Sequence, residues 1–260
     1  MVILLTLISG VFFSEVISPK VAELLNKGGT LSASGKQDEA IKCYDKILEI
    51  NPKLADAWFN RGLNLSALGK EEEAVKSYDK AIEINPKEEN VWNNKGLSLY
   101  TLGRYEEAIK CYDKVLEVNP KEADAWNNKG LSLRILGRRE EAVKCYDKTI
   151  EIKPQHADAW FNKGCSLSEL GKHEEAIKCY DKAIEVNPKE ADIWLNKGLS
   201  LSALRKHEEA VKCYEKAITI YPEYVKAWSN KGFSLSVLKK YEEAIKCYNK
   251  VTEITGASAR

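Results

Sequence analysis

The stretch Lys178-Cys179-Tyr180-Asp181-Lys182 decides the fold, because the chain repeats it in a fixed frame. Its Cys-Tyr pair returns at intervals of 34 residues or twice that, and Ser77-Tyr78 fills the one gap. The other copies are Cys43-Tyr44, Cys111-Tyr112, Cys145-Tyr146, Cys213-Tyr214 and Cys247-Tyr248. A fixed period of about 20 to 50 residues is typical of a stacked array of one supersecondary unit. Such arrays present long surfaces, so we expect binding rather than chemistry.

Seven repeats fit the chain without an insertion when Val21 is taken as position 1 of the first repeat. They are residues 21–54, 55–88, 89–122, 123–156, 157–190, 191–224 and 225–258. Position 4 is Leu24 in repeat 1 and tryptophan in every later repeat, while positions 8, 20 and 24 are always glycine, alanine and tyrosine. Position 32 is proline in every repeat but the last. This register predicts one array of seven repeats that follows an N-terminal segment, residues 1–20.

The residue pattern of each repeat predicts two helices. Apolar or small residues at positions 4, 8 and 11 form one face of a helix over positions 2–14, and glycine at position 15 in most repeats supplies the left-handed residue that ends it. A second helix over positions 18–30 has its apolar face at residues such as Ala176, Tyr180 and Ala183. The proline at position 32 closes it, since a residue before proline avoids helical geometry. The predicted fold class is all-α.

The pattern of Trp at 4, Gly at 8, Ala at 20, Tyr at 24 and Pro at 32 resembles the tetratricopeptide repeat, over residues 21–258. The resemblance implies an α-solenoid, a right-handed superhelix whose first helices line a concave groove. It also implies protein or peptide binding and no catalysis by the repeats themselves. The chain departs from the family at position 7, where it has lysine or arginine in place of leucine. We expect these side chains to lie over the tryptophan layer and to lift their charge into solvent.

The composition is typical of a soluble repeat protein without a strong electrostatic potential of one sign. The 40 basic and 39 acidic residues nearly cancel, which argues against nucleic acid as a partner. Six of the seven cysteines share position 23, where an intervening helix separates neighbouring copies, so disulfides are not expected. The spacings of zinc sites are missing from the sequence, and we expect no metal and no cofactor. Free thiols favour a reducing compartment and hence a cytoplasmic protein.

A second invariant column is the sharper functional signal. Position 6 is asparagine in all seven repeats: Asn26, Asn60, Asn94, Asn128, Asn162, Asn196 and Asn230. It lies about 200° round the helix from the tryptophan, and helix propensity does not favour asparagine there. An asparagine side chain can bond both the N–H and the C=O of an extended peptide. The column resembles the asparagine ladder of O-linked N-acetylglucosamine transferases and importin-like solenoids. The alternative is a bond from each amide to a neighbouring first helix.

Variable positions on the same side would supply specificity. Candidates at positions 2, 5 and 12 complete the predicted binding groove: Asp56, Asp124, Asp158, Asp192, Phe59, Phe161, Tyr100 and Arg134. A groove with several aspartates and apolar patches favours an extended ligand that carries some Lys or Arg.

The two ends leave alternatives open. Residues 1–13 are apolar but shorter than the roughly 20 residues of a membrane-spanning helix, and no basic residue precedes them. Residues 1–20 are therefore either a helix that caps repeat 1, or a signal or anchor that would place the protein at a membrane or export it. The last second helix, with Ile245 and Tyr248, has no following helix in this sequence, so we expect it to bind a partner, a second copy or further chain.

Two function classes follow from these observations. The first is a non-catalytic scaffold that binds an extended peptide or partner segment in the concave groove. The second is the recognition arm of a glycosyltransferase-like enzyme whose catalytic domain is not in this chain.

Overall fold

The computed structural model describes residues 18–257; residues 1–17 and 258–260, and with them most of the predicted cap or anchor, lie outside that range. The described part of the chain is built of α-helices, with no strand, which confirms the all-α prediction. The helices are α1 (Pro19–Ala33), α2 (Gln37–Ile50), α3 (Ala55–Ala67), α4 (Glu71–Ile84), α5 (Glu89–Thr101), α6 (Tyr105–Val118), α7 (Ala123–Ile135), α8 (Arg139–Ile152), α9 (Ala157–Glu169), α10 (His173–Val186), α11 (Ala191–Ala203), α12 (His207–Ile220), α13 (Val225–Val237) and α14 (Tyr241–Ala257).

The chain divides into two compact bodies, which we describe separately. The first body holds α1 to α6 and ends at Pro120, and the second begins at Lys121 and holds α7 to α14. Within each body the two helices of a repeat pack against each other, and each first helix also packs against the second helix of the preceding repeat. From repeat 2 onward, helix bounds agree with the predicted ones to within one residue, except that α14 continues to Ala257. The hand of the predicted superhelix stays a prediction.

The two helices of a repeat come close together because position 8 is glycine. A Cβ atom added to Gly198 would lie 2.5 Å from Cε1 of Tyr214, and one added to Gly62 would lie 2.5 Å from Cε1 of Tyr78. Both tyrosine rings are fully buried. Any larger residue at position 8 would force the ring or the helix to move. The invariant Gly-Tyr pair therefore sets the distance between the two helices.

The turn between the helices needs a residue with positive φ at position 15. Glycine meets this need in the first five repeats, for example Gly171 with a φ of 76°. The last two repeats place Arg205 and Lys239 there, with φ values of 60° and 62°. In this region the Cβ atom of an L-residue clashes with the backbone, and glycine has no Cβ atom. These two turns are therefore under local strain.

Within each body, tryptophan at position 4 joins a repeat to the one before it. The indole N–H of Trp194 donates to the backbone carbonyl of Pro188 at 3.1 Å, and that of Trp160 donates to Pro154 at 2.9 Å. The same bond, at 2.8 to 3.0 Å, joins Trp58, Trp92 and Trp228 to the proline six residues earlier. The proline at position 32 thus ends the second helix, and its backbone carbonyl accepts a hydrogen bond from the tryptophan of the next repeat.

The cation at position 7 strengthens the same junction. Nζ of Lys163 lies 5.7 Å from the centre of the Trp160 ring and 2.6 Å from Oδ1 of Asp147, in the second helix of the preceding repeat. Other pairs of this kind, at 2.5 to 2.9 Å, are Arg61–Asp45, Lys95–Asp79, Lys197–Asp181 and Lys231–Glu215. The expected contact with tryptophan is present, but the expectation that the charge reaches solvent is wrong, because a carboxylate at position 25 meets it.

Candidate functional site

In each of the two bodies, the first-helix face is the side of the first helices that carries positions 2, 5, 6, 9, 12 and 13. Positions 2 and 13 are exposed from repeat 2 onward, and positions 6 and 12 are mostly half-buried. Position 5 is the least accessible, since Asn127 and Leu195 are buried. The face therefore has exposed margins and a recessed centre, a shape that suits an extended ligand.

Four side-chain amides of the asparagine column bond their own helix. Nδ2 of Asn60, Asn94, Asn196 and Asn230 donates to the backbone carbonyl four residues earlier, at 2.7 to 2.8 Å. This bond uses one N–H of each amide and fixes the orientation of the group. The second N–H and Oδ1 are then held in place as a donor and an acceptor. Asn26 is exposed and Asn128 is half-buried.

Asn162 differs from the rest of the column. It is buried, and its Nδ2 donates to Oδ1 of Asn127, in the first helix of the preceding repeat, at 3.5 Å. This weak bond is the alternative that the sequence left open, a contact between neighbouring first helices. Peptide capture by the column stays a prediction.

The aspartates at position 2 are exposed, and two of them have a partner 32 residues later. Nε2 of His156 lies 3.2 Å from Oδ1 of Asp124, and the hydroxyl of Tyr224 donates to Oδ1 of Asp192. Both partners occupy position 34, the last residue of a repeat. Position 34 was not predicted as part of the site, because its residue types differ from repeat to repeat. The sequence signal that could have revealed it is the pairing of an aspartate at position 2 with a hydrogen-bonding side chain 32 residues later, at position 34.

Phe59 and Phe161 are half-buried and pack inward. Phe59 lies 6.1 Å from Tyr78 and Phe161 lies 6.1 Å from Tyr180, ring centre to ring centre, with nearly equal tilts. These contacts attach both rings to the core of their own repeat. Each phenylalanine can therefore offer a ligand only part of its surface.

Tyr100 and Arg134 stand at position 12. Tyr100 contacts position 17 of its own repeat, and Arg134 contacts a residue of the next repeat. The ring of Tyr100 lies 5.3 Å from that of Tyr105 in an edge-to-face arrangement. Arg134 and Arg139 share Glu169, at 3.0 and 2.6 Å. Position 17 was also missed, because it precedes the predicted second helix. It adds Tyr105 and Arg139 to the margin of the face.

Several large apolar side chains on the first-helix face stay exposed. They stand at positions 9 and 13: Leu97, Ile135, Leu199, Phe233 and Val237, which are 38 to 55% exposed. Exposed apolar groups that share one face mark an interaction surface more often than scattered ones do. The first-helix face thus combines apolar contacts with oriented amides and carboxylates.

Three thiols on second helices are poor nucleophiles. Burial raises the pKa of Cys111, Cys179 and Cys213 to about 11, so these thiols are protonated near neutral pH. No disulfide joins any of the seven cysteines, all of which lie within residues 18–257. Residues 18–257 contain no group of three His, Cys, Asp or Glu side chains arranged to hold a metal ion. Among the described helices, none has the length and apolar character needed to span a membrane.

Comparison with protein families gives a direct match. The model of the tetratricopeptide repeat matches residues 55–88, 89–122, 123–156, 157–190, 191–224 and 225–254. A related model, described as a TPR repeat, matches residues 28–69. The search among curated proteins found no match.

Solved structures with helical repeats are similar to this chain. A tetratricopeptide repeat protein from Parabacteroides merdae has a TM-score of 0.71 at 20% identity, with 90% of this chain and 93% of that chain covered. YrrB, described as a TPR protein with an unusual peptide-binding site, has a TM-score of 0.61 at 26% identity and coverage of 71% and 95%. MamA has a TM-score of 0.61 at 26% identity and coverage of 63% and 96%.

Proposed function

The chain belongs to the tetratricopeptide repeat family, and from that premise we propose that it is a protein-interaction scaffold with no catalytic activity of its own. One observation carries the proposal: exposed apolar side chains such as Leu97 and Phe233 lie on the first-helix face, beside the column of oriented asparagines. Apolar side chains that stay exposed on one side of the helices are typical of an interaction surface. YrrB, at 26% identity, is described as having a peptide-binding site, which supports the same class of ligand.

The proposed ligand is an extended peptide segment of a partner protein. Each amide that is held by its own helix offers one N–H and one C=O, the two groups needed to bond a peptide unit. The exposed aspartates at position 2 favour a ligand with positive charge. The asparagines would hold the backbone, and positions 2, 9, 12 and 13 would select the side chains. The cytoplasm remains the proposed compartment, because the cysteines form no disulfide within the described residues.

The second function class, the arm of a glycosyltransferase-like enzyme, receives no support from the comparisons. An enzyme arm would bind its substrate in the same way, so the two classes share the first-helix face. They differ in the catalytic domain that the second class requires on another chain or in a longer sequence.

Self-association through α14 is a second proposal with its own observation. Tyr241, Ile245 and Tyr248 are 41 to 60% exposed, whereas Tyr214 at the place of Tyr248 in repeat 6 is fully buried. Position 25 is Asn249, so this end lacks the carboxylate that meets position 7 of a following repeat. The neutral apolar face suits a second copy better than another repeat of the same type. Sedimentation should show a dimer that Ile245→Glu dissociates; a monomeric wild type would overturn the proposal.

Peptide binding can be tested without knowing the partner. Random 12-residue peptides displayed on phage are selected on the immobilised protein, and the enriched peptides are titrated calorimetrically against the wild type and variants. Replacing Asn128, Asn196 and Asn230 by Ala removes about 0.5 to 1.5 kcal/mol for each lost hydrogen bond. We expect the triple variant to bind at least tenfold more weakly, while its helix content is unchanged because Ala is the better helix former.

A matched control carries three changes on second helices. Lys144, Lys178 and Lys212 are exposed at position 22, and their replacement by Ala should leave peptide affinity as it was. Failure to enrich any peptide, or equal weakening by both triple variants, would overturn binding at the first-helix face.

A further inference from the structure

One cavity in the first body has the chemistry of a binding site. Its volume is about 160 Å³, and it lies where repeat 2 meets repeat 3. The apolar part of its lining comes from Phe59, Ala81 and Val91, and carboxylates come from Asp56 and Glu88. The volume is close to that of one long side chain. An aromatic ring and two acidic groups in one small cavity form a setting for a cation with an aliphatic stem.

The residue at position 34 distinguishes this cavity from the corresponding places in repeats 4 and 6. In repeats 4 and 6, position 34 is His156 or Tyr224, and its side chain reaches the aspartate at position 2. In repeat 2 the residue is Glu88, which in its ionised form accepts hydrogen bonds only and cannot bond the carboxylate of Asp56. Asp56 thus lacks the contact from position 34 that Asp124 and Asp192 have; we call the arrangement of repeat 2 open and that of repeats 4 and 6 closed.

The open arrangement leaves its charges uncompensated. The one bond recorded for the Glu88 carboxylate is a long one of 3.4 Å from Nδ2 of Asn90, and within the described residues Asp56 forms no ion pair. Two carboxylates that line one cavity repel each other, and a cation between them would remove that repulsion. Both residues are exposed, so a ligand can reach them.

We propose that the cavity between Asp56 and Glu88 binds the side chain of a lysine or arginine in the partner peptide. This inference rests on the proposed peptide-binding function and names the residue that the site selects. The stem would lie on Phe59, and the charged end would donate hydrogen bonds to the two carboxylates.

Repeat 5 carries the same set of residues. Asp158, Phe161, Ala183, Asn187 and Glu190 match the cavity residues of repeat 2, and Ile193 stands in place of Val91. Phe161 packs with Tyr180, Ala183 and Ile193 as Phe59 packs with Tyr78, Ala81 and Val91. We therefore assign a second site of the same specificity to the second body.

The test uses N-acetyl-lysine methylamide as the probe, followed through backbone amide signals in an NMR titration. We expect saturable shifts at Phe59, Asn85 and Glu88 and at their counterparts in repeat 5. N-acetyl-norleucine methylamide, which has a similar stem without the charge, should give none. Equal shifts with both probes, or shifts confined to other surfaces, would overturn the proposal.

Two variants exchange the open and closed arrangements. Glu88→Tyr copies repeat 6 and should abolish the lysine-dependent shifts in repeat 2, while repeat 5 still responds. Tyr224→Glu, made together with Leu195→Phe and Tyr221→Asn so that repeat 6 carries these lining residues of repeat 2, should create a response beside Asp192. Glu88→Gln keeps the size and should weaken binding about tenfold through loss of a charged hydrogen bond. Unchanged repeat 2 shifts in Glu88→Tyr would refute the assignment.

The two proposals fail in different ways. If the amine binds as described but no displayed peptide is enriched, the cavity assignment stands and the peptide-scaffold function fails. If peptides bind the first-helix face with equal affinity for the wild type and Glu88→Tyr, and the amine gives no shifts, only the cavity assignment fails.

Discussion

Replacing Arg205 or Lys239 by glycine should stabilise the protein. Both residues have φ near +60° at position 15, where the first five repeats have glycine. An L-residue in this region costs about 1 to 2 kcal/mol, and glycine loses about 0.5 to 1 kcal/mol more backbone entropy on folding. The difference is a net gain of about 0.5 to 1 kcal/mol for each change, or about 1 to 2 kcal/mol for both. Both side chains are exposed, so little packing is lost.

Thermal and urea unfolding, followed by circular dichroism, measure this gain. For a protein of this size, 1 kcal/mol corresponds to a rise in Tm of about 2 to 4 °C. The reverse change, Gly171→Arg, places the same strain in repeat 5 and should lower the Tm by a similar amount. Because repeats can unfold separately, the gain should be largest in transitions that include α11 to α14. An unchanged or lower Tm in the Arg205→Gly and Lys239→Gly double variant would refute the strain argument.

Three further predictions concern packing, the repeat junction and pH. Gly198→Ala should cost about 1 to 3 kcal/mol in urea unfolding because its Cβ meets Tyr214, whereas Gly29→Ala, with nothing within 4 Å, should be neutral or stabilising; equal effects would contradict this. A double-mutant cycle of Lys163→Met and Asp147→Asn should give a coupling free energy of about 0.2 to 1 kcal/mol, because the pair is partly exposed. Zero coupling would show that this ion pair does not stabilise the junction between repeats. Burial raises the thiol pKa of Cys179 and Cys213 from an ordinary value of 9.0 to about 11. The thiols of the unfolded chain therefore ionise at lower pH, and the free energy of unfolding should fall by about 1 kcal/mol per thiol between pH 8 and pH 10. The Cys179→Ser and Cys213→Ser double variant should lose that part of the pH dependence.

The fold was predictable from the sequence because its determinants recur in register. The glycine at position 8 and the tyrosine at position 24 pack directly against each other, so each column reports a local need that every repeat shares. The partner of the cation at position 7 was harder to predict. It depends on a contact between repeats, such as Lys163 with Asp147 in the preceding second helix.

The candidate site was predictable only in part. The asparagine column is visible in the sequence because it is invariant, whereas the residues proposed to select the ligand differ between repeats. Glu88, His156 and Tyr224 share position 34 and have different effects on the aspartate 32 residues earlier. Sequence spacing alone does not reveal that these side chains reach the preceding first helix. Burial of Phe59 and Phe161 against tyrosine was hidden for the same reason.

The location of a bound peptide tests the central claim most directly. A peptide selected by display is given a nitroxide spin label, and the line broadening of backbone amide signals is measured across the second body. The account predicts strong broadening at first-helix residues such as Asn128, Asn196 and Asn230 and little at second-helix residues such as Lys178. Broadening confined to the second helices would contradict it.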